Sequence, residues 1–247
     1  MNARRTRRAF LVEGALLSPF LLGAAGKSDL RIAQLEVGAG WNPRPTAMRR
    51  LLWELTQRTS IEAELEVPGI LPDAPQLFRH PLLYWAGTGG FAPMSEDAIR
   101  RLRRFVMYGG TLLIDSADAD PGGAFDVSVR RELTRILPGT ELGRLPNDHV
   151  LYKSFYLVDT QAGRILRTPY IESIRLEKRE AVLYCQNDLG GAWARDAFGR
   201  WEYPVSPGGE RQREMAYRLG INMLMYALCL DYKEDLVHAP FILKRRR

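Results

Sequence analysis

Two cysteines and three histidines in 247 residues leave little material for a disulfide scaffold or for a zinc centre built from imidazoles. Cys185 closes the apolar run Ala181–Cys185 and Cys229 sits in an apolar helical pattern, so each reads as a free buried thiol. Neither a G-x-S-x-G nor a G-x-C-x-G elbow occurs, and there are no internal repeats and no low-complexity linker. Basic excess is also missing from the body of the chain. The formal charge of +6 comes from Arg4, Arg5, Arg7 and Arg8 near the start and Lys244 to Arg247 at the end. Without these two segments 27 basic residues face 28 acidic ones, which excludes a patch-driven affinity for nucleic acid. With 46% hydrophobic and 26% charged residues, the chain as a whole has the composition of a globular domain with a sizeable core.

What is present begins with a leader. Four arginines precede an apolar stretch from Ala9 to Phe20, followed by small residues from Leu22 to Gly26. Thr6-Arg7-Arg8-Ala9-Phe10-Leu11 resembles the twin-arginine export motif, with Val12 where a lysine usually stands. Glu13 and Pro19 interrupt the apolar stretch, which suits a signal better than a membrane span. Cleavage after Ala25 is expected, leaving no span in the product. The resulting division is a signal peptide over residues 1–26, one α/β domain over 27–235 and a basic, solvated tail over 236–247. The route implies folding in the cytoplasm, handling by the twin-arginine machinery and delivery to the periplasm.

The domain alternates strand and helix patterns. Arg31 to Val37 reads as a first strand, and Met48, Leu51, Leu52 and Leu55 mark one face of a helix. Ile61, Ala63, Leu65 and Val67 alternate with glutamates as a half-exposed edge strand ended by Pro68. Leu82 to Ala86 is continuously apolar, as a central strand covered on both faces would be. Ser95 should cap a helix whose inner face holds Ile99, Leu102, Phe105 and Val106. Thr111 to Asp115 is a further buried strand, and Val127 to Leu137 a further helix. From Leu142 the pattern loosens, with short strands at Val150–Leu157, Ile171–Leu176 and Ala181–Cys185. A long helix from Gly209 then carries Met215, Leu219, Met223, Tyr226 and Leu230 along one side. The order predicts a doubly wound, mainly parallel sheet with helices on both faces.

Several segments together resemble a bacterial family, domain of unknown function 4159. They are Leu77 to Tyr84, Gly109 to Asp115, Leu145 to Tyr156, Asn187 to Trp193 and Arg218 to Asn222, spread over residues 29–231. The resemblance implies a flavodoxin-like fold related to class I glutamine amidotransferases, an envelope setting and no assigned activity. In those amidotransferases a nucleophilic cysteine follows the strand that here is Thr111–Ile114. Asp115-Ser116-Ala117-Asp118 stands there instead, so amidotransferase chemistry is not expected.

Ligands of open α/β sheets bind outside the carboxyl ends of the strands. Three segments should meet there: Gly38 with Trp41 and Asn42, Gly87-Thr88-Gly89, and Asp115 with Ser116. Asn187, Asp188 and Trp193 form a polar loop with an aromatic, suited to stacking on a sugar. These residues define an expected binding crevice for an envelope carbohydrate or protein, with no cofactor. The alternative is a hydrolase, with Ser116 as nucleophile, His149 as base, Asp188 as orienting acid and Asp115 beside them. Asp115, Asp118 and Asp120 could hold a hard cation, but the spacing lacks the later ligands of a calcium loop. They read instead as an acidic turn in which Asp118 or Asp120 caps the next helix, and no metal is expected.

Overall fold

The computed structural model describes residues 30–159 and 162–244, so the leader and its arginine pair lie outside the described residues. Seven strands form one sheet: β1 Ile32–Leu35, β2 Gly69–Ile70, β3 Leu82–Gly87, β4 Thr111–Ser116, β5 Gly143–Arg144, β6 Glu172–Leu176 and β7 Arg179–Cys185. Their spatial order is β2-β1-β3-β4-β7-β6-β5. The first five run parallel, β6 is antiparallel to β7, and β5 is antiparallel to β6. That parallel succession is the doubly wound, flavodoxin-like order, with the switch in direction of winding between β1 and β3.

Strand alternation divides the core in two. Leu113 of β4 joins Tyr84, Leu183 and Cys185 on the face covered by α1 (Ala47–Arg58), α4 (Leu189–Trp193) and α5 (Gly209–Lys244). Leu112 and Ile114 join Leu83, Trp85 and Val182 on the face covered by α2 (Glu96–Met107) and α3 (Ala124–Ile136). With both faces covered, β3 and β4 are buried throughout, which is why they read as unbroken apolar runs. α2 starts where expected: the Ser95 hydroxyl accepts the Ala98 N–H at 3.2 Å, and Glu96 and Asp97 complement the helix dipole.

α5 presses on α1 and α4 at Gly220. A side chain there would place its Cβ 2.6 Å from Trp193 Cζ2 and 2.9 Å from Leu51 Cδ1. Gly220→Ala therefore gains about 1 kcal/mol of helix propensity but overpacks a buried contact by about 1–3 kcal/mol. A net loss of about 1 kcal/mol is expected in urea unfolding; a stabilised variant would show that this helix contact is loose.

The structure corrects two strand readings. Residues 61–67 form no extended ladder, only a single bridge from Ala63 to Leu30, and the edge strand β2 begins after Pro68. Their alternation is a packing signal: Ile61, Ala63, Leu65 and Val67 lie half-buried against the core, while the amides of Gln34 in β1 and of Glu36 just after it bond the Pro68 and Ile70 carbonyls. Residues 150–153 form a 3-10 turn instead of a strand, with Leu151 and Tyr152 buried and Val150 exposed. Asn222 of α5 then holds Phe155 and Tyr156 by their backbone. α5 continues to Lys244, well past the residue 236 start assigned to the tail. Among the described residues no helix is long and apolar enough to cross a membrane.

Candidate functional site

β4 ends in Asp115 and Ser116, which alternation sends to opposite faces of the sheet. Asp115 enters the α1–α4–α5 side and is fully buried. Its Oδ1 accepts the Leu189 N–H at 2.9 Å; its Oδ2 accepts the Gly190 N–H at 2.7 Å and the Tyr84 hydroxyl at 2.8 Å. Burial and the neighbouring Asp188 charge raise its pKa, the three donors pull it back, and the balance lies at about 7. Burial and the Asp115 charge push up both the Tyr84 hydroxyl and the Cys185 thiol.

Asp188 precedes α4 in the left-handed region, at φ 52°, which Asp tolerates better than most residues. It is also fully buried, and guanidinium groups grip it from two directions. Arg44 donates through Nε to Oδ1 at 3.1 Å and through Nη2 to Oδ2 at 2.8 Å, while Arg164 Nε donates to Oδ2. The Gly191 N–H completes the set at 2.9 Å. Burial works against the Arg44 charge, but the hydrogen bonds and attraction to Asp188 outweigh it and raise its pKa.

Asn187 and Trp193 are occupied as well. Asn187 Oδ1 accepts the N–H groups of Arg167 at 2.8 Å and Thr168 at 3.0 Å, and its Nδ2 donates to the Thr168 carbonyl. The Trp193 indole is fully buried and donates to the Ala216 carbonyl at 3.0 Å. Neither offers an edge to a sugar, so this loop is an internal anchor.

The glycine loops do converge at the carboxyl ends of the strands, but they join each other. The Thr88 N–H bonds the Gly40 carbonyl at 3.1 Å, and Gln34 Nε2 reaches the Trp41 carbonyl at 2.8 Å and Asn42 Oδ1 at 3.3 Å. Gly38 backs onto Phe91, and a Cβ on Gly87 would lie 2.2 Å from the Phe125 ring. The missing side chains make room for neighbouring parts of the fold.

Asp118 accepts the Gly89 N–H at 2.7 Å and so ties the turn after β4 to the loop after β3. Neither Asp118 nor Asp120 caps α3, whose N-cap is Gly123; the carboxylate that braces this turn is Asp126, accepting the Gly122 N–H. Among the described residues no three His, Cys, Asp or Glu side chains gather to hold a metal.

The hydrolase constellation is not assembled. His149 lies 3.6 Å from Glu180 at the start of β7, whereas Asp115 pairs with Cys185 at the end of that strand. At about 3.3 Å per residue, His149 and Ser116 stand roughly 15–20 Å apart at opposite ends of the sheet. The His149 ring accepts the Leu151 N–H through Nδ1 and packs edge-on to Tyr226. Burial lowers its pKa against the opposing pull of Glu180. Ser116 is buried on the other face, and its hydroxyl has no hydrogen-bond partner among the described residues.

Sequence reasoning missed Arg44, Arg164 and Tyr84. Arg44 sits between Pro43 and Pro45, where it reads as part of a helix approach. Arg164 lies 24 residues from its carboxylate in the least patterned part of the chain. No local signal pairs either with Asp188. In comparisons with known proteins, the family model of Domain of unknown function (DUF4159) matches residues 31–228. No curated protein matches the chain.

Proposed function

Because the chain belongs to the Domain of unknown function (DUF4159) family, we propose its role from its own residues: an exported, non-catalytic binding or accessory domain of the cell envelope. The observation that carries this reading is that the two buried carboxylates at the carboxyl end of the sheet are satisfied from within the protein, while the Ser116 hydroxyl is sealed in the opposite layer. Asp115 and Asp188 accept every donor around them from the protein itself, and both are fully buried. A general base or nucleophile must reach substrate, and these groups do not. The reading departs from a glutamine amidotransferase in the same place: β4 leads into Asp115-Ser116-Ala117-Asp118, and Cys185 is buried at the end of β7.

Export to the periplasm rests on the leader. The arginine pair, the interrupted apolar stretch and the small-residue end fit a pathway that carries folded proteins, and an envelope protein or carbohydrate is the partner this destination offers. Replacing Arg7 and Arg8 by lysine is expected to leave the protein in the cytoplasm as uncleaved precursor, read by fractionation and blotting. Normal export of that variant would remove the twin-arginine assignment. The non-catalytic part is tested separately: incubation with muropeptides and envelope polysaccharides should release no product, and turnover abolished by Ser116→Ala would favour the hydrolase instead.

A further inference from the structure

Away from the sheet ends, the outer face of α1 and the hairpin after α4 border an open cavity of about 550 Å³, the size of sites that take small organic ligands. Arg49, Arg50 and Trp53 of α1 line it together with Leu65 and with Arg195, Asp196, Ala197 and Gly199 of the hairpin. Two guanidinium–indole stacks stiffen the walls. Arg50 lies 3.9 Å over Trp53, and Arg195 lies 3.6 Å over Trp201, whose ring Arg213 also approaches at 4.0 Å.

The charge balance in this cavity is one-sided. Three arginines line it against one lining carboxylate, Asp196, which is held by Arg200 and the N–H groups of Phe198 and Arg200; of the three, Arg50 also pairs through Nη2 with Glu54, one turn along α1, at 2.5 Å. Arg49 stands exposed on the rim with no carboxylate partner among the described residues. The Nε atoms of Arg50 and Arg195 are buried without a hydrogen-bond acceptor. Guanidinium groups are the side chains best shaped to grip carboxylate and phosphate. Trp53, 38% exposed beside them, offers a flat apolar face for the rest of a ligand.

From this arrangement we infer that the cavity binds a ring-shaped ligand carrying an oxyanion, a sugar acid or sugar phosphate. The oxyanion sits among Arg49, Arg50 and Arg195, and the ring stacks on Trp53. The inference gives a place and a ligand class to the binding role proposed above, and it moves that role from the strand ends to the outer face of α1. Its test is independent of export and of turnover, so a failure here leaves those readings where their own experiments put them.

Calorimetry and tryptophan fluorescence on the purified chain would compare glucose 6-phosphate, glucuronate and glucose at low and raised salt. One or both charged sugars should bind and glucose should not, with affinity falling as salt rises. Binding of the phosphate alone identifies a phosphate ester as the ligand class, and of glucuronate alone a carboxylate. Arg49→Glu changes an exposed side chain and should leave the thermal midpoint unchanged while weakening binding at least about tenfold, the size of one lost charged contact. Arg195→Gln should weaken it similarly, and Trp53→Ala should remove the fluorescence change. Binding no better than that of glucose, or undiminished in both arginine variants, overturns the inference.

Discussion

Asp188→Ala is expected to be the most damaging single substitution in the described fold, at about 3–5 kcal/mol in denaturant unfolding. The carboxylate holds Arg44 and Arg164 at once and accepts the Gly191 N–H, so its removal strands two half-buried guanidinium groups that now repel each other. Alanine also fits poorly at φ 52°, at a cost of about 1–2 kcal/mol. Asp188→Asn keeps the backbone preference and one acceptor oxygen, so it should lose clearly less than the alanine variant. Equal losses in the two would show that the arginine pairing contributes little and backbone geometry contributes most.

The second large effect is a dependence of stability on pH. An unfolded Asp115 titrates near 3.8, and the folded group at about 7. Between these values the folded protein holds a proton that the unfolded chain has released, so this group's contribution is fully present below about pH 4. It declines as pH rises through about 7, by up to about 1.4 kcal/mol per pH unit, and is level above that. Asp115→Asn removes the titration. It should lose about 1–3 kcal/mol at pH 5, because one amide cannot accept from Leu189, Gly190 and Tyr84 together. The gap to wild type should narrow by pH 8, where the native carboxylate is charged beside Asp188. Parallel stability curves for the two proteins would show that Asp115 is already ionised at pH 5.

The parts of this fold that could be read from the sequence are those whose signal is local and periodic. β3 and β4 announce themselves as apolar runs because both faces are covered, and α1 and α2 as amphipathic repeats with Ser95 at a helix start. Residues 61–67 show where this method stops: alternation reports which side chains face the core, while a strand also needs a backbone partner in register. The position of Asp115 at the end of a buried strand followed from the same local logic. Its partners did not, because Leu189 and Gly190 arrive from 74 and 75 residues further along. Likewise Arg44 and Asp188 are 144 residues apart, and only the folded chain makes them neighbours. The strand-end rule pointed to the carboxyl ends of the strands, where Asp115, Asn187 and Asp188 take their hydrogen bonds from within the fold. The arginine-lined cavity escaped notice because its two walls come from separate segments, around 49–53 and 195–199.

The outermost strands carry a consequence for how this protein behaves in a crowded compartment. β2 and β5, at the two margins of the sheet, are two residues long each, so neither offers an extended row of free amides and carbonyls to a passing chain. On one side this protection depends on the segment between α3 and β7. Cut away residues 142–176, and β7 would become the margin: a seven-residue strand with Val182, Leu183 and Tyr184 at its heart and one whole side of its backbone open. The irregular stretch therefore acts as a hem on the sheet, and a trimmed version of this domain should be judged first by whether it stays monomeric and in solution.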